Sequence, residues 1–168
     1  MTALPLDHNF PQPILAALSD WLGDVELLPI GHIDGRLTNL RDRERILTLY
    51  QLGYRGLVTN NYRMLQNPVE LAAVIKTKLS VFAVEGLGDD PIRATGALLL
   101  DLPSVVNAVK AGRAGVFWLR PRVPQPRDPW DLFKRLANRR EEEVGDLYRQ
   151  VAVSDDELAA PVLSRAEQ

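Results

Sequence analysis

A chain of 168 residues, 46% hydrophobic and 25% charged, is long enough for one domain with a proper core and short for two. The absence of cysteine excludes disulfides, zinc–thiolate sites and cysteine catalysis, and makes a reducing cytoplasm the expected compartment. No apolar run nears the roughly 20 residues of a membrane span, and the opening MTALPLDHNF lacks a basic region followed by a long apolar stretch, so no signal peptide is expected.

In chain order, Leu4–Leu6 is a short apolar entry into Asp7, and the pattern after Pro13 (Ile14, Leu15, Leu18, Trp21, Leu22) predicts a helix closed by Gly23. VELLPI predicts a strand stopped by Gly31. RDRERILTLYQLG predicts a helix with Asp42 as its N-cap and Ile46, Leu49 and Tyr50 on one face. Gly53 closes it, and GLVT is the next strand. Asn67-Pro68 opens a helix through VELAAVIKTKL, SVFAV is a strand of β-branched and aromatic residues, and DPIRATGALLLDLPSVVNAVKAG predicts two helical pieces broken at Pro103. GVFWL is expected to be the last strand.

The alternation of continuous apolar strands with helices predicts an α/β fold whose parallel sheet is covered on both faces. Residues 1–120 form that domain; the proline-rich 121–128 reads as a stiff linker. Residues 129–152 form a helical extension with an apolar stripe of Trp130, Phe133, Leu136 and Ala137, expected to pack on the parent domain. Residues 153–168 read as a flexible tail. The formal charge of −2 is unevenly spread. Residues 113–140 carry eight Lys/Arg against two Asp/Glu, and residues 141–168 carry two against eight. Such a pattern either steers a polyanion, holds the tail against the basic stretch, or reflects solvated helices with neighbouring opposite charges.

Sites in open parallel sheets form at the carboxyl ends of the strands. Used as a filter, that rule selects Asp7-His8-Asn9, Thr59-Asn60-Asn61, the approach to His32 and Asp34, Glu85, and the helix start with Asp42 and Glu44. An oxygen-rich set without cysteine suits Mg²⁺ or Mn²⁺, and a cation so held activates water for phosphodiester hydrolysis. The structural alternatives are Asp7 capping its turn and Asp42 and Glu44 forming a capping arrangement. No P-loop, GxGxxG, GxSxG or HExxH motif is present, and His8 and His32 lack the spacing of a zinc site.

LDHNFP resembles the LDENFP-type opening of PIN-like nuclease domains, the group that includes many toxins of toxin–antitoxin pairs. LRDRERILTLYQLGYRGLVTNNYRML resembles the same family's acidic helix start, helix and strand ending in a VTND type of motif, and GDDPIRATGALLLDLP is similar to a later stretch in some members. The resemblance implies a three-layer α/β/α sandwich, a Mg²⁺ or Mn²⁺ site, and cleavage of single-stranded RNA. It makes Asp7 the first metal ligand, either Asp42 or Glu44 the second, and Asn61 the occupant of the strand-end acid's place. Asn9, Thr59, Asn60 and Arg63 are then expected to face substrate, and an antitoxin protein or a second copy is the implied protein partner, with no membrane involved. The chain departs from the pattern at Asn61, which keeps a carbonyl but loses a charge, and at Arg63, where members often have a further acid. Two readings follow: a metal-dependent endoribonuclease of toxin type, or a weakened PIN-like domain that binds nucleic acid or regulates without cleaving.

Overall fold

The computed structural model of the chain describes residues 2–7, 10, 22–85, 90–119 and 126–163. Five apolar segments pair in parallel: β1 (Thr2–Leu6), β2 (Val25–Pro29), β3 (Gly56–Thr59), β4 (Ser80–Val84) and β5 (Val116–Leu119). A two-residue strand, β6 (Pro126–Arg127), adds antiparallel at the edge, so the sheet order is β2-β1-β3-β4-β5-β6. The helices among the described residues are α1 (Ile30–Ile33), α2 (Asp42–Gln51), α3 (Pro68–Thr77), α4 (Pro91–Lys110), α5 (Pro129–Arg139), α6 (Val144–Val151) and α7 (Asp155–Ala159). Single 3-10 turns cover Gly35–Asn39 and Tyr62–Gln66.

Side chains alternate across a strand, so each strand feeds two cores. Leu57, Val81, Ala83 and Val116 pack with Ile46 and Leu49 of α2, Leu71–Val74 of α3 and Phe133 of α5. Leu4, Leu6, Val58, Phe82, Val84 and Phe117 pack on the other face with Ala94, Leu98, Leu102 and Val105 of α4. The result is an α/β three-layer sandwich around a mostly parallel sheet, which is why its strands read as unbroken apolar runs. Two glycines are required by this geometry. Gly53 turns the chain out of α2 at φ +89°, and at Gly56 a Cβ would lie 2.9 Å from Leu4 Cδ2 and 3.1 Å from Phe82 Cε2.

The structure corrects four expectations. Pro103 does not break the long helix: α4 runs uninterrupted from Pro91 to Lys110. The proline ring sits on the solvent side, where water can satisfy the carbonyl one turn back, while Leu98, Leu102, Val105 and Val106 bury a continuous stripe beneath it. β5 is not the last strand, because β6 forms inside the proline-rich segment; an edge position tolerates a residue with no N–H to donate. Asp42 is the first helical residue and not the N-cap, which is Arg41. Finally, the segment from Val153 is not a loose tail as far as residue 163: Val153 and Val162 are buried in the α2/α3-side core. Its polar contacts explain why. Arg43 holds Glu157 through two 2.7 Å hydrogen bonds, Gln51 donates to the carbonyls of Leu158 and Ala160, and Lys76 pairs with Asp155. The acidic end therefore docks on α2 and α3, where Glu157 and Asp155 pair with Arg43 and Lys76. The helix expected over Pro13–Leu22 falls almost wholly outside the described residues.

Candidate functional site

β1 and β3 are neighbours in register, with Leu6 opposite Val58, so the residues that follow lie side by side at the carboxyl rim. The Asp7 N–H donates to the Val58 carbonyl at 2.9 Å, and Thr59 Oγ1 donates to Asp7 Oδ2 at 2.8 Å. Asp7 is 2% exposed, so its carboxylate is held inside the rim.

α2 begins at the same rim and gives its two acids different contacts. Glu44 reaches back to accept the Arg41 N–H at 3.2 Å, completing a capping box, and so stabilises the helix start. Asp42, freed from the capping role, turns inward. One helical turn on, Arg45 lies on the same face and is 6% exposed. Its Nη1 lies 2.7 Å from Asp42 Oδ1 and 3.8 Å from Asp7 Oδ1, while Nε and Nη2 donate to the carbonyls of Leu37 and Leu40 at 3.2 and 3.0 Å. Asn61 closes the circuit: its Nδ2 donates to Asp42 Oδ2 at 3.1 Å, and its backbone N–H donates to Thr59 Oγ1 at 2.9 Å.

The expected residues Asp7, Asp42, Thr59 and Asn61 are thus brought together, with Arg45 at their centre. Asn61 meets Asp42 as a donor, where an aspartate would meet it as a like charge. Asn60 is buried beside them, and Arg63 is exposed on the 3-10 turn. Asp34 is engaged elsewhere, accepting the Arg36 backbone N–H at 2.9 Å and pairing with its guanidinium, which holds the Asp34 carboxyl below its ordinary range. His8 and Asn9 lie outside the described residues.

Sequence reasoning missed Arg45 and Glu70. The first was legible as an i,i+3 partner of Asp42. The second sits in the first turn of α3, flanked by apolar residues in VELAAV, just after the rim. Glu70 Oε2 is buried and has no hydrogen-bond partner among the described residues. Burial pushes the Glu70 carboxyl above its ordinary 4.5, and the nearby charge of Asp42 acts in the same direction. A group whose folded pKa is raised contributes stability below its unfolded pKa and loses it as pH rises through the folded value. A Glu70→Gln chain is therefore expected to melt above wild type at neutral pH, with the two curves converging below about pH 4.5. Thermal denaturation across that range checks this; a constant gap at every pH would refute the assignment.

Among the described residues, no three Asp, Glu or His side chains already form a chelating group. The candidate donors are all oxygen, and the buried Glu70 oxygen stands near the charges of both Asp42 and Arg43. Magnesium sites use one or two carboxylates together with substrate phosphate oxygens and do not need a full protein cage. Asp42, whose oxygens already meet Arg45 and Asn61, and Glu70 are the carboxylates to which that role would fall. No family model, no curated protein and no solved structure matches the chain, so the family expectation stands on the LDHNFP and VTNN motifs alone.

Proposed function

We propose that the chain is a PIN-like, Mg²⁺- or Mn²⁺-dependent endoribonuclease acting on single-stranded RNA, the toxin of a toxin–antitoxin pair. The observation that carries this reading is the charge balance of the rim: the carboxylates of Asp7 and Asp42 lie against one buried guanidinium, and Glu70, close enough to feel the charge of Asp42, has a buried oxygen with no hydrogen-bond partner among the described residues. Asp42 and Glu70 would hold the cation. When bound, it supplies charge neutralisation for the phosphate and a more acidic water. Arg45 keeps Asp42 in place through its 2.7 Å contact and lowers the mutual repulsion of the two aspartates, so that they coexist at the mouth of the sheet. Thr59 fixes the orientation of Asp7, and Asn61 fixes that of Asp42. The exposed Arg135 and Arg139 of α5 offer phosphate contacts of the salt-sensitive kind.

The test is cleavage of single-stranded RNA with Mn²⁺. Asp42 is the informative position, because its side chain is 24% exposed and can lose its charge without emptying the core. Asp42→Asn is expected to lose at least about a hundredfold in rate, since the cation's contribution amounts to several kcal/mol. Glu44→Gln, altering only the capping box, should cleave like wild type. Equal rates for Asp42→Asn and wild type would end this reading. A second reading, binding without cleavage, is favoured by the Arg45–Asp42 ion pair and by Asn61 in an acid's place; RNA retained in EDTA but left intact with Mn²⁺ would select it.

A further inference from the structure

The row of residues across the sheet at the candidate site does not stop at Thr59. Thr59 is in register with Ala83, and Ala83 with Trp118 of β5. Asp7, Thr59, Ala83 and Trp118 therefore form one line along the rim, on the face packed by α2 and α3. Two strand spacings separate Thr59 from Trp118, roughly 10 Å. Between them β4 contributes the methyl group of Ala83, itself fully buried, and the partly exposed rings of Trp118 and Tyr62 pack at the border of the core on that face.

Tyr62 reaches the same place from the other direction. It follows Asn61 directly, and its ring meets that of Trp118 edge-on, with centroids 6.4 Å apart and planes at 60°. Both rings are half-buried. The Trp118 indole N–H is closed from solvent and has no hydrogen-bond partner among the described residues. A buried indole normally finds an acceptor, and leaving a donor without one is costly.

We propose that Tyr62 and Trp118 form a subsite for an unpaired nucleobase, placed so that the base rests on the aromatic rings while its phosphate lies toward Asp7 and Asp42. The chemistry that suits the subsite is a flat π-face with ring-nitrogen or carbonyl acceptors on its edge. The face stacks, and with a small turn of the indole the edge accepts from Trp118 Nε1. The choice of a nucleobase rests on the ribonuclease reading of the neighbouring acids. Stacking of this kind tolerates any base, so the subsite contributes affinity for single strands and excludes a base locked in a duplex.

The experiment is binding of a short fluorescein-labelled oligouridylate in EDTA, followed by anisotropy, beside an abasic strand of the same length. Trp118→Leu and Tyr62→Leu are each expected to weaken oligouridylate binding about tenfold. Trp118→Phe, which keeps one aromatic ring and removes the pyrrole half of the indole with its N–H, is expected to show a smaller loss. The abasic strand should bind wild type and Trp118→Leu alike. Thermal melts establish that each variant is folded, and Trp118→Phe carries the test if the leucine variant is not. Oligouridylate bound equally by wild type and all three folded variants overturns the subsite, even if wild type cleaves RNA. Stacking-dependent binding with no Mn²⁺-dependent cleavage supports the subsite and overturns the ribonuclease reading alone. No binding of either strand by wild type overturns the subsite.

Discussion

Replacing Arg45 with methionine is expected to destabilise the chain by about 3–5 kcal/mol in EDTA, measured by urea denaturation. Methionine keeps most of the apolar stem and removes the charge and its donors, so the loss reports the ion pair more than the packing. Four acceptors lose a partner at once: Asp42, Asp7 and the carbonyls of Leu37 and Leu40. With Asp7 2% exposed, its charge has little access to water as a substitute. The same variant also tests the cation. With the guanidinium gone, Asp7 and Asp42 lose the positive charge that lies against both. Mn²⁺ at a hundredfold excess over its Kd would then return about 2.7 kcal/mol through linkage. Destabilisation with no recovery in Mn²⁺ would leave Arg45 as a structural counter-ion and remove the metal from the account.

What the sequence makes legible is governed by how local the cause is. GLVT and SVFAV coincide with β3 and β4 because each is fully buried, bounded by turn residues, and apolar on both faces. Asn67-Pro68 marks the start of α3 because the Asn67 side chain caps the Val69 N–H and the proline needs no donor of its own. The misread helix break at Pro103 has a long-range cause: the burial that carries α4 past the proline comes from β4 and β5, and the local sequence shows only the breaker. The site divides in the same way. That Asp7, Thr59 and Asn61 meet follows from the rule that strand ends converge. The different contacts of Asp42 and Glu44 follow from the helix phase, since Glu44 caps backward while Asp42 and Arg45 share the inner face. The state of Glu70 is legible only in three dimensions, because it depends on what fails to reach its carboxylate.

Truncating Phe133 to alanine is the second large effect expected, about 3–5 kcal/mol. Phe133 is fully buried, stacks on Trp130 at 5.5 Å and 5°, and meets Tyr148 edge-on at 5.3 Å. Trp130 and Tyr148 are themselves in edge contact at 4.8 Å, so α5 and α6 are joined by a three-ring cluster. That cluster does not belong to the extension alone. Phe133, Ala137 and Leu147 lie in one continuous core with Leu71–Val74 of α3 and Val81 and Val116 of the sheet. The apolar stripe after the proline-rich segment is thereby accounted for by the parent domain. If the two parts share a core, they share a transition: in urea, tryptophan fluorescence and far-ultraviolet circular dichroism should give coincident midpoints in wild type, both shifted together by Phe133→Ala. Two separate midpoints, with the variant moving only one, would mean that the helical extension folds on its own and that its contact with α3 contributes little. The same coupling reaches the candidate site, because α3 carries both the face that packs on α5 and Glu70 at its start. Loosening α5 is accordingly expected to loosen the rim.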